Sequence, residues 1–240
     1  MCDVNIREGQ ETLEVKVAST HKGPPSDTNY RGIHNVPVYA RLAIPLGILF
    51  AVIYFGMNWI TARRTDRYQL YFDWELAIPF VPAMIYGYAS LLILLLLPAV
   101  TLSQPQLRAL ARALTITVFV AAVSYLLLPA DLGFERPAYV PGYDTVFQTL
   151  YALEMPHNLV PSLHIACSIL LIVTLFNNMS SLWIRFGLIL WAILICASVL
   201  LVHQHHVLDV ISGLLLGIVT YRLVCSAKSS RPHSSAGFRK

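Results

Sequence analysis

Residues 184–225 read IRFGLILWAILICASVLLVHQHHVLDVISGLLLGIVTYRLVC. Two apolar runs flank a polar turn, His203-Gln204-His205-His206, and Asp209 follows just inside the second run. Each run approaches the roughly 20 residues that a helix rising 1.5 Å per residue needs to cross about 30 Å of hydrocarbon. The stretch predicts two membrane helices joined by a short turn, with imidazoles and a carboxylate at its mouth. Such groups are costly in lipid and are seldom placed there without a task.

Working outward, similar apolar stretches lie at about 43–60, 75–97, 109–128 and 160–176, before those at 184–202 and 207–225. The chain is 56% hydrophobic and 12% charged, whereas a soluble domain carries about 25% charged residues. The expectation is an all-α, polytopic membrane protein whose six transmembrane helices form one bundle, residues 41–225. A polar tail (1–40, with Gly23-Pro24-Pro25-Ser26) precedes it, and a basic, Ser-rich tail (226–240) follows it. The tails read as unstructured, and no short basic start runs into an apolar core as in a secretory signal. Cys2, Cys167, Cys196 and Cys225 are spread over tail and spans. They read as free thiols behaving as small apolar residues.

With six spans, both termini share a side. That side holds Arg7, Lys16, Lys22, Arg31, Arg41, Arg108, Arg112, Arg185, Arg222, Lys228, Arg231, Arg239 and Lys240; the other holds Arg63, Arg64, Arg67 and Arg136. The basic side is expected to be cytoplasmic. The net charge of +4 thus marks orientation and points to no nucleic-acid partner. The opposite face, periplasmic or lumenal, receives the turn at 203–206 and the loop at about 129–159. It also receives a second polar cluster, His157-Asn158-Leu159-Val160-Pro161-Ser162-Leu163-His164. The two clusters can therefore meet.

On a helix, His205 and Asp209 face the same way. A carboxylate accepting Nδ1–H leaves Nε2 as a directed lone pair, the arrangement of a histidine nucleophile or base. Pro161 and Ser162 suit a helix start, whose free N–H groups attract an anion, and His164 lies beside them as a proton donor. Arg136, in Glu135-Arg136-Pro137, offers a guanidinium that grips phosphate oxygens in pairs. Arg63, Arg64 and Arg67 lie on the same expected face. A competing reading makes His203, His205, His206 and Asp209 a zinc set in a non-enzymatic protein. Against it, the four do not share a helical face. The aromatic run Tyr139, Tyr143, Phe147, Tyr151 reads as an interfacial belt, with a lid over the site as the functional alternative.

These strings resemble the type 2 phosphatidic acid phosphatase superfamily, whose motifs are K-x6-R-P, P-S-G-H and S-R-x5-H-x3-D. Here the second is Pro161-Ser162-Leu163-His164 and the third is Ser198-Val199, five residues, His205, three residues, Asp209. The first survives as Arg136-Pro137, with Pro129 where lysine would stand. Val199 replaces the third-motif arginine, and Leu163 replaces glycine. The P-S-L-H form is similar to inositol phosphorylceramide synthases, and the His-His-x-x-Asp run to sphingolipid synthases. E-R-P and H-N-x-x-P-S-L-H strings also occur in bacterial members.

The resemblance implies a lipid phosphatase acting on phosphatidate, phosphatidylglycerophosphate or a polyprenyl pyrophosphate, or a phosphotransferase between lipids. His205 would attack phosphorus and become phosphohistidine, supported by Asp209. His164 would protonate the leaving group, and Arg136, Ser162 and Ser198 would hold the phosphoryl oxygens. It implies no cofactor and no metal, a phosphorylated lipid and membrane lipids as partners, and a bacterial inner membrane as the location. Nothing in the pattern assigns an oligomeric state.

Overall fold

In hydrocarbon every backbone N–H and C=O must be bonded within the protein, so apolar runs of this length become helices. The computed structural model describes residues 30–225. Among them helices dominate, and the nearest thing to a sheet is an isolated bridge between Tyr68 and Ala130. The helices are α1 (Val36–Thr61), α2 (Ile85–Ala89), α3 (Leu91–Leu96), α4 (Pro98–Thr101), α5 (Gln104–Leu127), α6 (Asp144–Leu153), α7 (Leu163–Asn178), α8 (Leu182–Leu201) and α9 (Val207–Val224). Helix α1 already starts inside the polar stretch expected to end at residue 40. The remaining tail expectations, on residues 1–29 and 226–240, lie outside the described residues, as does Cys2.

Among the described residues, five segments are long and apolar enough to cross a membrane: Ile33–Thr61, Pro82–Thr101, Gln104–Leu127, Leu182–Leu201 and Val207–Val224. The fourth expected span is α7, with only 16 residues, about 24 Å of rise. It is the central helix: Ile165, Ala166 and Leu170 have no exposed surface, and it packs on α3, α5, α8 and α9.

The second expected span begins later than predicted, at Pro82 rather than residue 75. Pro79 and Pro82 lack the N–H groups that a continuous helix needs, so a 3-10 turn at Asp73–Ala77 and an extended link precede it. The Val81 N–H donates to the Leu201 carbonyl (2.8 Å) instead. The segment is broken again at Ser90 and Leu97 into α2, α3 and α4.

Helices α7 and α9 approach at backbone distance. A Cβ on Gly213 would lie 2.6 Å from the Ser162 carbonyl oxygen, and one on Gly217 would lie 2.7 Å from that of Ala166. This four-residue spacing of small residues lets two membrane helices meet closely. It brings the start of α7 beside the start of α9, where the two polar clusters lie.

Candidate active site

His205 precedes α9 instead of riding on it as the four-residue spacing suggested. The helix begins at Val207, with His206 as its N-cap. The contact with Asp209 survives because that carboxylate caps the helix. Its Oδ2 accepts the His206 N–H (2.8 Å) and meets His205 Nδ1 at 3.2 Å. Asp209 is 1% exposed, so its partners define it. An Nδ1–H donated to this carboxylate leaves the Nε2 lone pair free.

Ser162 caps α7. Its Oγ accepts the Ile165 N–H (3.3 Å), and its own N–H donates to the Asp209 carbonyl (3.1 Å). That bond ties the second motif to the third. The His164 ring stacks on Tyr88 with centroids 4.0 Å apart, and its Nε2 is buried without a partner. His164 and His205 line one cavity. The structure thus brings His164, Ser162, His205 and Asp209 together from two chain segments.

Arg136 approaches from the loop before α6. It donates to the Gln204 side chain (3.2 Å) and the Tyr151 carbonyl (3.4 Å), and its guanidinium lies 4.7 Å from the Tyr151 ring centroid. Its Nε is buried and unpaired, and burial lowers its pKa. Ser198 lies in α8, donates to the Ile195 carbonyl (2.8 Å) and faces Gly87 where α2 crosses α8. Unlike the histidines, none of the three expected phosphate-holding residues, Ser198, Arg136 and Ser162, lines the cavity. Arg63 covers the Trp59 ring, Arg64 pairs with Asp66, and Arg67 donates to the Ala62 carbonyl and reaches Asp131. None of these three faces the cavity.

The other histidines point elsewhere. His203 Nε2 donates to the Ile78 carbonyl (2.9 Å), and its ring stacks on Phe134. His206 lies between Tyr71 and Phe134. Its Nε2 accepts the Gly133 N–H (3.2 Å), and its Nδ1–H donates to Glu75 (3.2 Å). The Glu75 carboxylate also accepts the N–H groups of Val207 (2.7 Å) and Phe72 (3.1 Å). With both ring nitrogens occupied, His206 serves as a rivet that fixes the turn carrying His205. Burial lowers its pKa, keeping it neutral. Among the described residues no three His, Cys, Asp or Glu side chains converge as a metal set, and Cys167, Cys196 and Cys225 are free thiols.

The cavity holds about 650 Å³. Tyr88, Glu154, Asn158, His164 and His205 gather at one end, while Tyr39, along α1 from them, has its hydroxyl bonded to the Leu95 carbonyl (2.6 Å). Apolar side chains of α1, α3, α5 and α7 line the rest, reaching Leu42 and Leu171. Helix α6 forms part of the wall through Val146, Leu150 and Leu153. Phe147 is fully buried against Phe80, while Tyr139 stays exposed. The aromatic run is therefore partly an anchor for this wall rather than a uniform belt. A separate groove between α1 and α5, near Arg108 and Arg112, lies away from the histidines.

Three residues escaped the sequence reading: Glu154 and Tyr88 at this end of the cavity, and Glu75 behind the turn that carries His205. The two acids could have been noticed as ionisable groups at the mouths of apolar stretches. Tyr88 carried no local signal.

The sequence pattern of the PAP2 superfamily matches residues 106–231, just over half of the chain. The chain belongs to the PAP2 superfamily. The match runs from α5 through α9 and contains all three motif regions. Superfamily membership places the protein among phosphatases and phosphotransferases of lipid-related chemistry. No curated protein and no solved structure matches the chain.

Proposed function

We propose that this PAP2 superfamily member is an integral-membrane lipid phosphatase that forms a phosphohistidine on His205. The observation carrying the reading is a cavity with both histidines at its polar end and a long apolar remainder. Its α1 lining runs from Tyr39 to Phe55, about 24 Å of helix rise. That exceeds the roughly 15 Å that each leaflet contributes to the hydrocarbon core. A phosphoester at the histidines thus has room for its tail beneath it.

In the proposed reaction, His205 Nε2 attacks phosphorus while Asp209 holds Nδ1–H and balances the imidazolium. His164, protonated, gives its proton to the leaving oxygen. Arg136 supplies positive charge, and Ser162 fixes the start of α7. Water then attacks phosphorus, the N–P bond breaks, and the water proton returns to His164. Substrates of this kind include phosphatidate, phosphatidylglycerophosphate and a polyprenyl pyrophosphate. A lipid alcohol in place of water makes the enzyme a phosphotransferase. We place the site on the face opposite Arg108, Arg112, Arg185 and Arg222, which sit at the far ends of α5, α8 and α9. That face is periplasmic if the protein resides in a bacterial inner membrane.

Leu171 lines the cavity two turns below His164. Leu171→Trp should fill it. Losing contact with about four methylenes, at roughly 0.8 kcal/mol each, predicts about a 100-fold fall in kcat/KM for a long-chain lipid phosphate. A short-chain analogue should react as before. Product analysis with chelator present reads both rates; equal losses on both substrates would remove the tail from the cavity.

A further inference from the structure

Glu154, at the end of α6, faces the same end of the cavity as His164 and His205. The Tyr88 hydroxyl spans its two carboxyl oxygens at 2.7 and 2.6 Å, while the Tyr88 ring stacks on His164. The carboxyl is therefore fixed beside the proposed phosphoryl position, with a tyrosine linking it to the proposed acid. The cations that should oppose it are few. Pro129 and Val199 stand where the resemblance places a lysine and an arginine, which leaves Arg136.

We infer that Glu154 selects the charge of the substrate, so that the site takes a singly charged lipid phosphodiester in preference to a doubly charged phosphomonoester. The inference rests on the phosphohistidine reading above, and it moves the substrate from the phosphomonoesters named there to phosphodiesters. A carboxylate repels a phosphoryl dianion more strongly than a monoanion. Among the described residues, a dianion beside ionised Glu154 faces only Arg136 and the His164 proton, and that proton leaves with the departing oxygen.

The chemistry balances with a diester. The His205 Nε2–P bond forms as the P–O bond to one alcohol breaks, and His164 protonates that oxygen. The second ester stays on phosphorus. An acceptor O–H, from water or a lipid alcohol, then attacks; the N–P bond breaks and the acceptor proton returns to His164.

Burial pushes the Glu154 carboxyl up, against the opposing effects of the Tyr88 hydrogen bond, His205 and Arg136. Tyr88 and Tyr54, His164, His205 and Arg136 are the titratable or charged groups around it. Protonated Glu154 tolerates a dianion and ionised Glu154 repels it. The KM for a monoester should therefore rise as pH rises through the Glu154 pKa, while the KM for a diester changes little.

The test compares phosphatidate with phosphatidylglycerol of the same acyl chains, using the full-length protein across neutral pH. Wild type should favour the diester, and Glu154→Gln should shift the kcat/KM ratio toward the monoester by at least about tenfold, the equivalent of one pKa unit. It should also flatten the pH dependence of the monoester KM. A wild-type preference for the monoester with a pH-independent KM overturns the inference, even if the variant fails to fold. So does a ratio unchanged in a folded Glu154→Gln. Turnover of neither lipid by wild type overturns the phosphoester reading itself, and this inference with it.

Discussion

His205→Ala is expected to lower phosphoester turnover by about 10⁴-fold or more, the scale seen when a nucleophile is removed from an otherwise intact site. The protein should still fold. The His205 ring makes one hydrogen bond, to Asp209, and that carboxylate keeps the His206 N–H. The turn keeps its other supports too: the backbone bonds of Gln204 and His205 to Val199, and the pairing of His206 with Glu75. The lost ring merely enlarges the cavity. Asp209→Asn should cost less in turnover than the nucleophile itself, since an amide oxygen can still accept Nδ1–H but brings no charge to balance the imidazolium. Initial rates with melting temperatures beside them separate loss of chemistry from loss of fold. A folded His205→Ala variant with near-normal rates would assign the nucleophile elsewhere.

Gly213→Ala should lower both stability and turnover. The added methyl lies 2.6 Å from a backbone oxygen, that of Ser162, so no side-chain rotation relieves it. Helix α9 must move away from α7, at a cost of about 1–3 kcal/mol as for other overpacked sites. The displaced oxygen belongs to the residue whose N–H bonds the Asp209 carbonyl, so the shift separates His164 from His205. A misplacement of about 1 Å costs on the order of 100-fold in rate. Gly187→Ala in α8 is the control, because a Cβ there meets nothing within 4 Å. Thermal unfolding in detergent and initial rates should show a loss in the first variant and none in the second. Equal behaviour of the two would mean that the close approach of α7 and α9 does not set the site.

The parts of the site legible in the sequence were the local ones. His203 to Asp209 and Pro161 to His164 each carry their chemistry within a few residues, and both mark a helix start. The position of His205 before α9 was not among them, because its four-residue spacing to Asp209 suggested a shared helix, whereas the Asp209 carboxylate caps the helix through the His206 N–H. The bend of the second span was visible in Pro79 and Pro82, but hydropathy averaging smooths over prolines. Partner choice across the fold was not legible. Glu75 meets His206 from 131 residues away, and Tyr88 meets Glu154 from 66 away. Neither pairing follows from periodicity, because each exists only once α2, α6 and the turn before α9 are packed. Ser198 shows the converse. Its place in a motif suggested a phosphate contact, whereas its hydroxyl bonds its own helix and its Cβ meets α2.

In the proposed reaction His205 carries the phosphoryl group during turnover. The most direct measurement is to quench the wild-type protein with alkaline denaturant while it turns over a lipid labelled at phosphorus, and to map the label by peptide. Acid-labile label should appear on His205, form with chelator present, chase into product, and be lost in His205→Ala. Steady turnover with no label on His205, or turnover abolished by chelator, would contradict it.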